Sequence, residues 1–209
     1  MLKHFFTAFY LLVISTSGFS QHEHCGTDRL LKEYIQQDPG AATRIENNWA
    51  EIENYIQSNA GRSSQNTIVT IPVVFHIIHS GQAVGNGLNI SDAQIFSQID
   101  VLNECYRKRN ADTALVPSWF KSDIADIEIE FCLATTDPNG NSTTGITRHQ
   151  YNNTANFDVN IKPGTQWDYT KYLNIWTTNL GTSILGYATF PNVGPSNQDG
   201  VVIDYRYLG

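Results

Sequence analysis

Apolar positions along the chain follow two rhythms, one before residue 66 and another after residue 67. In the first stretch, Leu30, Leu31, Tyr34 and Ile35 predict a short helix. Thr27 could cap it, and Asp38-Pro39-Gly40 breaks it. Ile45, Trp49, Ile52 and Ile56, spaced four, three and four, predict a second helix with a single apolar stripe. Two short amphipathic helices cannot bury their stripes alone, so they should pack on the domain C-terminal to them. Ser58 to Asn66 has no apolar periodicity and reads as an exposed linker. From Ile68 to Ile78 the chain is nearly all apolar and β-branched, which predicts a strand covered on both faces. A Gly-rich loop, Gly81 to Gly87, leads to Ser91, which should cap a helix whose inner face is Ile95, Ile99, Leu102 and Tyr106. Cys105, three residues after Leu102, reads as facing inward too. Ile124 to Ala134 predicts a second strand, with Ile127, Ile129, Phe131 and Leu133 alternating against Glu128, Glu130 and Cys132. A turn at Asp137 to Asn141 opens a long, Asn-rich polar stretch that runs to about Trp167 without a readable element. Tyr172 to Thr178, Leu185 to Phe190 and Val201 to Asp204 complete the strands. Strand, helix, then more strands implies an α/β fold with a mixed sheet.

Composition narrows this only a little. With 209 residues, 41% of them hydrophobic, the chain can build one domain with a real core and an appendage. A net charge of −7 with no Lys/Arg patch excludes a nucleic-acid partner as an expectation. Residues 1–20 read as a signal peptide: Lys3 and His4, then the apolar run Phe5 to Ile14, then Gly18-Phe19-Ser20 as the cleavage site before Gln21. The run is shorter than the ~20 apolar residues that span a bilayer, and no later segment is long enough either. Secretion is therefore expected.

Three cysteines follow, Cys25, Cys105 and Cys132, so parity leaves at least one unpaired. The simplest arithmetic joins Cys105 to Cys132 and leaves Cys25 free; three reduced thiols is the alternative. No complete catalytic constellation is present: the sequence has no His-Glu-x-x-His, Gly-x-Ser-x-Gly or Cys-x-x-Cys. His76 and His79, three apart on a strand, point to opposite faces, which reads as one packed histidine and one strand-end histidine. His22, His24 and Cys25 could chelate a metal, although such short clusters are common without meaning.

The order of motifs across residues 67–209 carries a resemblance. Ile71-Pro72-Val73-Val74-Phe75-His76 begins it. Leu102-Asn103-Glu104, Ile129-Glu130-Phe131-Cys132-Leu133-Ala134 and Thr144-Gly145-Ile146-Thr147-Arg148 continue it. Tyr172-Leu173-Asn174-Ile175-Trp176, Gly186-Tyr187-Ala188-Thr189-Phe190-Pro191 and Asp199-Gly200-Val201-Val202-Ile203 close it. This set resembles the N-terminal, upper subdomain of pappalysin-type metallopeptidases of the metzincin clan. The resemblance implies a mixed, twisted sheet with a backing helix, preceded by a small helical pro-segment. It also implies three segments: signal peptide 1–20, pro-segment and linker 21–66, and upper subdomain 67–209. Zinc is the implied cofactor, held by a His-Glu-x-x-His-x-x-Gly-x-x-His helix that this sequence does not contain. Calcium, by the same analogy, would lie in the part beyond this chain. The parent would be a metalloendopeptidase acting on protein or peptide substrates, and this chain alone would be inactive.

Two sets of residues carry over. Gly186, Tyr187, Ala188, Thr189 and Phe190 match the edge strand along the top of the cleft, where an extended peptide would add as a further strand. Cys25, in Cys25-Gly26-Thr27-Asp28, resembles the pro-segment cysteine whose sulfur takes the open position on zinc and keeps the enzyme latent. Cleavage at Arg62 in the linker would release it. A reading of another class, a secreted α/β binding or adhesion domain that never had a metal, fits the same composition. Nothing in the sequence sets an oligomeric state.

Overall fold

A computed structural model describes residues 25–60, 67–191 and 193–209. The signal segment, His22, His24 and Arg62 lie outside the described residues. Strand β1 (Val69–His79) is the spine of a six-stranded sheet. Its first half pairs in parallel with β2 (Ile129–Leu133) and its second half with β3 (Ile146–Gln150), so β2 and β3 share one edge. The other side of β1 pairs in parallel with β4 (Leu173–Thr178), and β4 with β6 (Val201–Asp204). β5 (Gly186–Ala188) closes that side as an antiparallel edge strand. The sheet is mixed and the fold α/β.

The apolar run of β1 explains its central place. Val73 to Ile78 is buried without a break, because both faces of the sheet are covered. On one face Val73, Phe75 and Ile77 pack with Phe131 and Ile175 under helix α3 (Asp92–Tyr106), through Ile95 and the half-buried Ile99, Leu102 and Tyr106. Each such side chain fully withdrawn from water contributes ~1.5–3 kcal/mol. Ser91 caps α3 as expected, its hydroxyl accepting from Gln94 N at 3.2 Å. Asn103, on α3, donates to Phe131 O at 2.9 Å and accepts from Phe131 N at 2.7 Å. A side-chain amide thus pairs the outer edge of β2 where no strand does. On the opposite face Ile78, Trp176 and Val202 pack against Phe157 and Ile161, which belong to two short helical turns, α4 (Phe157–Asn160) and α5 (Lys162–Thr165).

Before the sheet stand α1 (Thr27–Gln37) and α2 (Gly40–Asn59), as the apolar spacing predicts. Among the described residues no helix is long and apolar enough to cross a membrane.

Four expectations need correction. The stripe of α2 is not buried: Trp49 is 63% exposed, and Ile52 and Ile56 are exposed as well, with Ala41 the buried residue of the helix. The second strand starts only at Ile129, after irregular chain tied by Arg107 to Asp126 at 2.8 Å. The polar stretch contains β3, unreadable because its side chains are spent on hydrogen bonds rather than on a core. Cys105 does not face inward, and it is not bonded to Cys132: both thiols are free and exposed. The pleat explains this. Ile129, Phe131 and Leu133 pack towards α3, so Cys132 points to the other side of the sheet from the helix that bears Cys105.

Candidate functional site

An edge strand offers unpaired backbone groups, and β5 is such an edge. Gly186 sits where β5 crosses β6 most closely: a Cβ there would stand 2.7 Å from Val202 O. Only glycine lets the two backbones approach to this distance. In an antiparallel ladder alternate residues bond the partner strand, so Tyr187 pairs with Val202 of β6 while Gly186 and Ala188 present main-chain groups to the open edge.

Those outward groups are taken by the chain's own beginning. Cys25 bridges Gly186 in parallel, and Gly26 N donates to Gly186 O at 2.9 Å. Ala188 N donates to the Thr27 hydroxyl at 3.0 Å. Thr27 therefore does not cap α1: Gly26 holds the cap position without a side-chain bond, and the hydroxyl is turned to β5. Cys25 is exposed, its Sγ within 3.3 Å of Thr27 Oγ1. Farther along, Arg44 donates to Val193 O and Asn48 to Pro191 O, each at 2.8 Å, holding α2 to the chain that follows β5. Phe190 is exposed and lies with Trp49 and Ile52 in an apolar groove of about 530 Å³.

Beneath β5 lies a charged cluster that has no signature in the sequence. Lys162 is fully buried and pairs with Asp158 at 2.6 Å. Its ammonium lies between the rings of Trp176 and Tyr187, 5.2 and 5.0 Å from their centres, and donates to Gln198 O at 3.0 Å. Burial pulls its pKa down, and Asp158 opposes that. Tyr187 donates to Asp158 at 3.1 Å, and its own pKa is driven up, first by burial and then by that carboxylate. Asp158 and Lys162 stand at the i,i+4 spacing of a helical ion pair, but no spacing links them to residues 187 and 198 or foretells their burial.

His76 has a structural role, in keeping with its strand position. It is fully buried, stacks on Trp176 at 5.1 Å, and bonds Thr147 Oγ1 at 2.8 Å and Asn174 Oδ1 at 2.9 Å. Burial lowers its pKa to about 4. His79, at the strand end, accepts from Gly81 N at 3.1 Å. Among the described residues no group of three His, Cys, Asp or Glu side chains could hold a metal ion. Cys25 could supply one ligand, and the rest of a tetrahedral set is not among those residues.

Comparison with known proteins gives no matching family model and no match among curated proteins. Solved structures do match. A variant of promirolysin from Tannerella forsythia is 39% identical with a TM-score of 0.70, covering 88% of this chain and 60% of that one. Mature mirolysin from the same organism, in complex with a cleaved peptide, is 45% identical with a TM-score of 0.62, covering 68% of this chain and 55% of that one. Mirolysin in complex with a compound is 43% identical with a TM-score of 0.60. Mirolysin is a metallopeptidase, and these matches place the chain's fold with metallopeptidases, pro-segment included; they do not single out the pappalysin branch. The chain spans 60% of the promirolysin chain and 55% of the mature one.

Proposed function

We propose that this chain carries the pro-segment and upper subdomain of a secreted zinc metalloendopeptidase precursor related to mirolysin. The observation that carries this reading is the pairing of Cys25 to Thr27 with the outward backbone of β5. That edge is where a peptide substrate would add as a strand, on Gly186, Tyr187, Ala188, Thr189 and Phe190. A segment laid on it excludes substrate by occupying the same groups. The comparisons support the division. The match to the precursor covers 88% of this chain and that to the mature enzyme 68%, a difference of the size of residues 25–66. That mature mirolysin holds a cleaved peptide supports a peptide as the ligand of the corresponding edge.

In this reading residues 1–20 direct export, 21–66 form the pro-segment, 67–209 form the upper subdomain, and cleavage at Arg62 removes the pro-segment. Cys25 serves as the zinc ligand of the latent form. Its thiol lies at the end of the segment that pairs with β5 and is exposed, so it is free to coordinate. The remaining ligands are not among the described residues.

The test is made on the full-length precursor. Cys25→Ala should raise its activity on a quenched-fluorescent peptide about tenfold or more without Arg62 being cut, because a thiolate ligand to zinc is worth far more than one unit of ~1.4 kcal/mol. Unchanged latency in that variant sinks the cysteine's role. A precursor inert both before and after pro-segment removal sinks the peptidase reading.

A further inference from the structure

Tyr34, half-buried on α1, sets its side chain against the body of the protein. Its ring lies against Gly194, where a Cβ would come within 2.7 Å of the ring. Its hydroxyl donates to Gln198 Oε1 at 2.8 Å. Gln198 is only 9% exposed, and its main-chain oxygen accepts from the buried Lys162. Lys162 in turn pairs with Asp158, the carboxylate that also holds the Tyr187 hydroxyl of β5. The group aimed at the phenol is an acceptor, the Gln198 carboxamide oxygen; burial first, then the charges of Asp158 and Asp199, hold the phenol proton on. An open cavity of about 570 Å³, lined by Tyr34 itself with Arg44, Tyr169 and Asp199, lies beside the ring.

We propose that this socket is a substrate subsite, filled by Tyr34 in the latent form and by a tyrosine side chain of the peptide substrate once the pro-segment has left. The inference rests on the peptidase reading above. With the Tyr34 ring seated, Gln198 is nine-tenths buried, so an apolar ring in the same place leaves its side-chain oxygen covered without a donor, and an unsatisfied buried acceptor is costly. Phenylalanine fills the same space and leaves the acceptor unpaired. A site built to bond a substrate hydroxyl discriminates against the analogue that lacks it. The path is also right: the segment paired with β5 leads directly into the helix bearing Tyr34, so a peptide strand on β5 passes the same end of the cleft.

Two measurements test this. With the full-length precursor activated by pro-segment removal, tyrosine, phenylalanine, arginine and alanine are scanned through each position beside the scissile bond. Tyrosine should exceed phenylalanine by about tenfold in kcat/KM at one position, and Gln198→Met should bring that ratio close to one. Equal rates for tyrosine and phenylalanine at every position, a preference for arginine there, or a tyrosine preference surviving Gln198→Met each overturn the proposal. The second measurement needs no activity. In the Tyr34→Ala variant of this chain, N-acetyltyrosinamide should shift the amide resonances of Gly194 and Gln198, and N-acetylphenylalaninamide should not. Absence of that shift overturns the subsite; absence of any cleavage with the shift present overturns the peptidase reading alone.

Discussion

The sheet and the helical segment in front of it are held by different physics. Six consecutive residues of β1 are fully buried, and all but His76 contribute apolar area spread over many contacts. α1 has no buried residue and α2 has one, Ala41. The segment is fastened instead by directed hydrogen bonds that join Gly26, Thr27, Tyr34, Arg44 and Asn48 to β5 and to residues 191–198. Each such bond contributes ~1 kcal/mol. A part held this way can be removed without melting the sheet beneath it, which is what a pro-segment requires.

The contrast breaks most sharply at Trp176. It is fully buried, stacks on His76, lies beneath Lys162, and donates to Thr165 Oγ1 at 2.9 Å. Trp176→Ala should cost ~3–5 kcal/mol and uncover the Lys162 charge, read as a lower urea midpoint for the sheet. A loss under about 1 kcal/mol contradicts a core centred there.

Acid should attack the sheet next. The folded pKa of His76 is about 4, against 6.5 for the free side chain. Between those values the unfolded chain binds a proton that the folded chain refuses. Stability is therefore undiminished above pH 6.5 and falls as pH drops towards 4, by about 3 kcal/mol in full at ~1.4 kcal/mol per unit. His149, also depressed by burial, adds to the same slope. Urea midpoints across that window measure it, and His76→Gln should flatten the curve; a slope unchanged by the substitution refutes the assignment.

A smaller change should separate the two regions. Tyr34→Phe removes one hydrogen bond, ~1 kcal/mol. Amide exchange in α1 should quicken several-fold while β1 and β4 stay as they were. Equal quickening in both regions means that they open together. The smallest effect belongs to Trp49→Ser: with the residue 63% exposed, thermal unfolding should move by no more than ~0.5 kcal/mol. A large loss means the stripe of α2 is covered after all.

Much of this body is legible in local pattern. The continuous apolar run of β1, the Ser91 cap with its four-three-four helix, and Val201 to Asp204 all appear where that pattern puts them. β3 is hidden because Thr147 and Arg148 answer to distant partners. Thr147 bonds His76, and Arg148 bonds Asn89, Ile90 O and Asp92. A strand stabilised by polar pairing leaves no hydrophobic alternation to read. Cys105 defeats the helical spacing because spacing gives a face, not the limit of what the sheet covers.

Propensity, capping and apolar periodicity act over a few residues, so they settle where elements form without any knowledge of the rest of the chain. The ordered motifs behind the resemblance are likewise written in the sequence. Three features are not. Cys25 to Thr27 lie on Gly186 to Ala188 across 161 residues, Lys162 is buried against Asp158, and Tyr34 fills a socket floored by Gly194. The first and last of these are contacts between segments far apart in the chain, and the burial of Lys162 depends on the rings that distant strands bring over it. They follow from which strand ends at an edge and which segment is left to cover it, and no local pattern records that.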